Sequence, residues 1–339
     1  MTGIFTSILE WIVGWVGNYG WSVVVFTLMV RLVLMPLDIK SKKSMRAMSK
    51  VQPKVQALQK KYAGDKEKLN LKLNELYRKE HVSPMSGCLP MLISLPILWF
   101  MFAAMRNLAN EHTISMILQM KDAAAAGDTA EAIAAAVRDN MQSWLWIKNV
   151  FQPDSFMATI LPKVGDGLKT IAASSGSTVL TADNLAAARE FLTTDIYREI
   201  AAQFGTGNFV SIPLNLLIIN PTLTLPTSFE ALFSSANGLF ILPVLAALSQ
   251  FFMTKFTSNA PKQTAEADDQ QSNPMNNGFM KWFFPLFSLY ICAGYNAAFA
   301  IYWMAANVIQ VVQQLAVNWY FDRQDQKKAL EEAAKETIE

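Results

Sequence analysis

From Trp282 to Val317 the chain runs 36 residues without a Lys, Arg, Asp or Glu. As a single helix such a run would be about 54 Å long, against a hydrocarbon core of about 30 Å. Two spans that turn near Gly294-Tyr295-Asn296 resolve the mismatch, because Gly and Asn tolerate turn conformations. Three other apolar blocks have the same character: Tyr19–Leu37 holds one charge, Arg31, whereas Met85–Met105 and Gly238–Thr254 hold none. With 52% hydrophobic and only 17% charged residues, this is the composition a bilayer solvent selects. The expected fold is an all-α membrane protein with transmembrane helices over 19–37, 85–107, 238–256, 282–295 and 297–319. Prolines at 36, 90, 96, 243 and 285 are tolerated in membrane helices.

Charge is distributed unevenly between the blocks. Asp38–Ser83 carries 13 basic residues against 5 acids, and Asn107–Asn237 carries 7 against 12. By the positive-inside rule the segment 38–83 is cytoplasmic. Alternation of the spans then puts the amino terminus and an external insert (108–237) outside. A loop (257–281) and the carboxyl tail (320–339) fall inside. The first 20 residues have no basic n-region and carry Glu10, so no cleavable signal peptide is expected. Phe5, Ile8, Leu9, Ile12, Val13 and Val16 recur at helical spacing, which predicts an interfacial amphipathic helix over 1–18.

Within 38–83, Met45, Met48, Val51, Val55, Leu58 and Tyr62 form one helical stripe, and Leu69, Leu73, Leu76 and Tyr77 another. Gly64 can end the first helix and Asp65 can cap the second, which predicts a basic helical hairpin. Pro53 is expected to break or kink its first arm. So many basic groups suit an acidic partner, such as ribosomal RNA or anionic lipid headgroups. The insert is expected to be mostly helical over 122–137 and 181–204, with Thr181 or Asp183 as a cap.

Arg31 is the residue with the strongest functional implication. An arginine inside a span costs about 2.5–3.5 kcal/mol on insertion scales and cannot shed its proton. It is therefore expected to face a polar cavity, with Thr27 one turn earlier on the same face. Ser94, Ser249, Gln250, Ser288, Asn307 and Gln310 are the other polar groups in the spans; none is acidic. Together with Arg31 they suggest the lining of a hydrophilic groove. No Ser-His-Asp set, phosphate loop or zinc-ligand spacing can be assembled, and Cys88 and Cys292 build neither a disulfide framework nor a metal site. The chain is expected not to be an enzyme and to need no cofactor or metal. A small-solute or anion transporter using Arg31 is the alternative, weakened by the lack of a second hydropathy half mirroring the first. A structural assembly factor is a third reading.

Several stretches resemble the YidC/Oxa/Alb membrane protein insertases. They are FTLMVRLVLMPLDIKSKKSMRAM, QPKVQALQKKYAGDKEKLNLKLNELYRKE, GCLPMLISLPILWFMF, WLWIKNVFQPDSF, LPVLAALSQFFMTKF and NPMNNGFMKWFFPLFSLYICAGYNAAFAIYWMAANVIQVVQQ, in that order. The resemblance implies that Arg31 lies at the centre of a substrate groove, with Thr27, Gln250, Tyr302 and Trp303 at groove or substrate-contacting positions. Ser94 and Asn307 join them as polar residues of the spans. It implies a multi-pass protein of the bacterial inner membrane. Its expected role is to insert and help fold nascent membrane proteins, alone or with the Sec translocon. The ribosome and membrane lipids are expected partners, and no small-molecule substrate is expected.

Overall fold

The computed structural model describes residues 2–82, 89–163, 168–174, 176–213, 222–257 and 278–336. The chain is mostly helical: α1 (Thr2–Val16), α2 (Tyr19–Lys61), α3 (Lys66–Lys79), α4 (Leu89–Ala125), α5 (Ala130–Asn140), α6 (Ala182–Phe191) and α7 (Asp195–Ala202) precede a hairpin of β1 (Phe209–Pro213) and β2 (Thr222–Pro226). Then follow α8 (Phe229–Ser234), α9 (Ile241–Thr257), α10 (Gly278–Gly294) and α11 (Ala297–Glu336). There are two compact units. The first comprises Met1–Thr27, Phe100–Phe251 and Gly278–Asn307; the second comprises Leu28–Trp99, Phe252–Asn277 and Val308–Glu339.

Among the described residues two helices are long and apolar enough to cross a membrane, Tyr19–Lys61 and Ala297–Lys327. Within the described residues α9 and α10 have 17 residues each, which already reaches the short end of what spans a bilayer. Large apolar side chains point outward on all four: Leu32 and Val33 on α2, Val244 and Leu248 on α9, Leu286 and Tyr290 on α10, Val312 and Trp319 on α11. Exposed apolar surface of this extent calls for lipid as solvent. Between α10 and α11, Asn296 Oδ1 accepts the Phe299 N–H at 2.9 Å and so caps the turn where the apolar run had to fold back.

In the second unit, α2 runs through Pro36 and Pro53 without ending, where a break or kink at Pro53 was expected. A proline deletes one N–H from the ladder. Val51 and Val55, which flank it, are both buried. Asp65 caps α3, its carboxylate accepting the Lys68 N–H at 3.0 Å, and Lys54 pairs with Glu80 at 2.6 Å.

In the first unit α4 continues past the expected membrane boundary and sends Ile114, Ile117 and Met120 into the core of the insert. There they meet Ile133, Leu161, Leu168, Leu185, Phe191, Tyr197 and Ile200. The alanine-rich helix expected over 122–137 is interrupted at Gly127, whose φ of +95° suits glycine alone, and restarts behind a Thr129 cap. Thr181 and Thr194 cap α6 and α7. The β-hairpin was not anticipated; its signal was the alternation of Val210 and Ile212 with polar neighbours, repeated in Leu223 and Leu225.

The segment from Gln142 to Leu161 fastens the helix starts of this unit. Asp154 is fully buried. Its Oδ1 accepts the N–H groups of Leu239 (2.8 Å) and Phe240 (3.2 Å), and its Oδ2 those of Leu242 (2.6 Å) and the Trp146 indole (3.2 Å). The three backbone N–H groups are otherwise unpaired donors at the start of α9, where a negative charge also meets the positive end of the helix dipole. The carbonyls of Gln152 and Val150 serve Ala297 and Ala298 at the start of α11 in the same way, each at 2.9 Å. Asn237 and Asn149 bond one another reciprocally. Nearby, His112 stacks on Phe151 and shares a 2.6 Å hydrogen bond with the Tyr19 hydroxyl.

Replacing Asp154 by Ala strands several buried donors at about 1–3 kcal/mol each, so the thermal midpoint of the purified protein should fall by many degrees. Gly238→Ala would drive a Cβ into Asp154 Oδ1 and should do the same; unchanged midpoints would show that this anchor is dispensable. Burial holds the His112 pKa below 6.5. The stability of its neutral form is therefore complete above about pH 6.5 and is lost as pH falls through the depressed folded value. His112→Gln should flatten the decline in thermal midpoint between about pH 7 and 5.

Candidate functional site

In the first unit Thr27, Gln250 and Asn307 are all buried, and each is the last or next-to-last residue of that unit's share of α2, α9 or α11. Their polar atoms are engaged. The Thr27 hydroxyl donates to the Val23 carbonyl at 2.6 Å, leaving its oxygen able to accept. Asn307 Nδ2 donates to Ser249 Oγ at 3.2 Å, and that hydroxyl donates to the Ala246 carbonyl at 2.8 Å. The predicted residues Asn307 and Ser249 are thus brought together directly.

Four residues before Asn307 stands Trp303, next to the buried Tyr302. Its ring lies 5.6 Å from that of Phe299 and 6.4 Å from that of Phe102, while Phe102 and Phe299 are 4.1 Å apart. This aromatic cluster fixes the indole, yet its Nε1–H is buried without a hydrogen-bond partner. An unmet buried donor costs about 1–3 kcal/mol.

Arg31 belongs to the second unit, one helical turn after Thr27 along α2, and is half-buried. The sequence offered no acid within the spans to answer its charge, but Asp38, two turns further on, feels it. Burial pushes the Asp38 carboxyl above its ordinary range, while the Arg31 charge and a hydrogen bond from Gln313 Nε2 at 3.2 Å pull it back. The arginine is therefore coupled to an acid at the end of its own span. Ser94 lies on α4, but its side chain is outside the described residues.

Below Asp38 a polar seam joins α2 to α11, and sequence reasoning missed it. Lys42 Nζ reaches the Gln314 carbonyl (3.1 Å) and Asn318 Oδ1 (3.4 Å). Arg46 reaches the Asn318 carbonyl (3.2 Å), Asp322 (2.6 Å) and Asp325 (3.4 Å), and Lys50 lies 3.6 Å from Asp325. Burial and the neighbouring Arg46 charge lower the Lys42 pKa to about 8. The signal was present in two ladders of step four, Asp38-Lys42-Arg46-Lys50 on α2 and Gln314-Asn318-Asp322 on α11. It could be read only once the tail was known to continue the last apolar helix. Part of the basic charge of the hairpin is therefore matched inside the unit, while Lys40, Lys43, Lys60, Lys61, Lys66, Lys68, Arg78 and Lys79 are exposed.

A family model described as 60Kd inner membrane protein matches residues 11–324. Among curated relatives, the membrane protein insertase YidC of Fusobacterium nucleatum is 45% identical over 93 residues, which are 27% of this chain and 45% of that protein. The membrane protein insertase YidC of Caldanaerobacter subterraneus is 41% identical over 111 residues, 33% of this chain and 54% of its own length. The corresponding protein of Campylobacter jejuni is 42% identical over 93 residues, 27% of this chain and 18% of its own. The chain thus aligns with about half or less of the length of each of these relatives. Because the family match runs through α2, the basic hairpin, the insert, α9, α10 and the apolar part of α11, the chain belongs to the 60Kd inner membrane protein family.

Proposed function

We propose that this protein inserts other proteins into the bilayer of a bacterial inner membrane and assists their folding, without consuming nucleotide. Family membership and the names of its relatives support the reading, and Arg31 carries the mechanism. In this proposal five helical segments cross the membrane, at 19–37, 85–107, 238–256, 282–295 and 297–319, with the amino terminus outside. A substrate with a short polar tail must bring that tail through hydrocarbon, at several kcal/mol for each charge or unpaired polar group. A groove with Arg31 at its centre and Thr27, Ser94, Gln250, Tyr302, Trp303 and Asn307 as its lining residues solvates the tail for part of the way. Arg31 attracts acidic tail residues, and the guest's apolar helix gains hydrophobic transfer energy as it enters lipid. That gain drives the step downhill. The exposed lysines of the hairpin receive the nascent chain or ribosome, and the Sec translocon cooperates on larger clients.

In a liposome insertion assay Arg31→Ala should reduce insertion of an acidic-tailed single-span substrate by at least about tenfold, the factor that ~1.4 kcal/mol of lost attraction gives. Arg31→Lys should retain much activity if charge, rather than the guanidinium fork, is what matters. Full insertion by the Ala variant would remove Arg31 from the mechanism. Asp322→Ala with Asp325→Ala should release Arg46 and Lys50, strengthening ribosome co-sedimentation at low salt. The stability cost should be below about 1 kcal/mol for each exposed pair. An unchanged ribosome affinity would place the ribosome contact elsewhere.

A further inference from the structure

The β-hairpin of the insert presents to the outside the face that a water-soluble protein would bury. In its register Val210 pairs with Leu225 and Ile212 with Leu223 on one face, while Ser211 pairs with Thr224 on the other. On the apolar face the β1 side chains are turned out, with Val210 49% and Ile212 41% exposed, and Leu225 is half-buried. On the other face Thr224 is 4% exposed and accepts a hydrogen bond from Lys163 Nζ, while its partner Ser211 is exposed. A hairpin packed on a core in water turns side chains such as Val210 and Ile212 inward. Directly after β2, α8 also turns apolar side chains outward. Phe229 and Phe233, one turn apart, are 78% and 52% exposed with their rings 5.1 Å apart, while Ala231 faces inward.

Sequence and continuity indicate what covers this surface. From Ile200 to Phe229 there is no Lys, Arg, Asp or Glu, and residues 214–221, which join the strands, read LNLLIINP. A protein-docking surface ordinarily keeps a charged or polar rim around its apolar centre, and this stretch supplies no charge for one. The end of α8 is also tied to the start of α9. Between Ser234 and Ile241 the chain is pinned by Asn237 on Asn149 and Pro153, and by the Leu239 and Phe240 N–H groups on Asp154. The outward apolar side chains of α9 begin at once, with Ile241 and Val244. In the same unit α1 exposes Trp11 and Trp15, the residue type that settles at a membrane interface. Open edges of a two-stranded sheet cannot enter hydrocarbon, where their N–H and C=O groups would go unpaired, so the depth is limited to the hydrated headgroup zone.

We propose that the outward face of the hairpin, together with Phe229 and Phe233, rests in the interfacial zone of the lipid leaflet that α9 enters at Ile241. The insert is thereby tethered to the membrane surface. The proposal depends on α9 being a membrane helix and not on what the chain inserts.

The test uses the full chain carrying Cys88→Ala and Cys292→Ala, with a single cysteine at Ile212→Cys, Phe229→Cys or, as control, the exposed Asp128→Cys. Each variant is labelled with an environment-sensitive dye and reconstituted in vesicles of phosphatidylethanolamine and phosphatidylglycerol. Dyes at 212 and 229 should emit to the blue of the control, be quenched by lipids bearing a nitroxide on an upper acyl carbon, and resist aqueous iodide several-fold better than position 128. Quenching of 212 and 229 by iodide as strong as at 128 would overturn the proposal. Protection from both quenchers, persisting in detergent, would overturn it in favour of a protein cover such as a second copy. No client protein enters the measurement, so its failure is separable from failure of the insertase reading.

Discussion

A helix that starts where water is scarce has several N–H groups without intrahelical acceptors, and the architecture of the first unit follows from how they are satisfied. Asp154 supplies both oxygens to the start of α9, and the carbonyls beside it serve the start of α11. One irregular stretch thus sets the positions of two apolar helices and ties the insert to them. Gly238 belongs to the same arrangement, because only a residue without a Cβ lets the chain pass so close to the carboxylate. The reciprocal pair Asn149 and Asn237 then closes the backbone around the charge. An irregular loop survives inside an apolar protein only if its polar groups are answered in this way.

The second unit solves a different problem, that of many like charges on one helical arm. Four of its polar groups, from Asp38 to Lys50, are matched step by step by α11, whose continuation beyond the apolar run brings Asp322 and Asp325 into register. Each exposed pair is weak alone. As a ladder they set the register of two long helices and leave the remaining lysines of the hairpin outward. Arg31 sits at the head of this ladder, and its charge acts on Asp38 below it.

Several structural features were legible in local pattern. The capping by Asp65, the turn at Asn296 and the helix α1 all follow from residue type and spacing over a few positions. The insert was less legible. Its helices were anticipated, but Gly127 divides the one expected over 122–137 and the turn before Thr194 divides the one expected over 181–204, and the hairpin was hidden because its apolar alternation lies in a charge-free stretch that resembles core. For the candidate groove, the sequence supplied Arg31, Thr27, Gln250, Tyr302, Trp303, Asn307 and Ser94. It could not supply the bond between Asn307 and Ser249, nor the aromatic packing that leaves the Trp303 indole N–H without an acceptor.

Charge avoidance over twenty or more consecutive residues is a property of the chain alone, so the sequence by itself determined that lipid is the solvent and roughly where the apolar helices run. Partner choice is another matter. Asp154 meets residues 85–88 positions away, and Lys42 and Arg46 meet residues 272–279 positions away. Which face of β1 and β2 turns outward is likewise set by what packs on the other side. Such pairings come into being only when distant segments share one space, and the tertiary structure alone decided them.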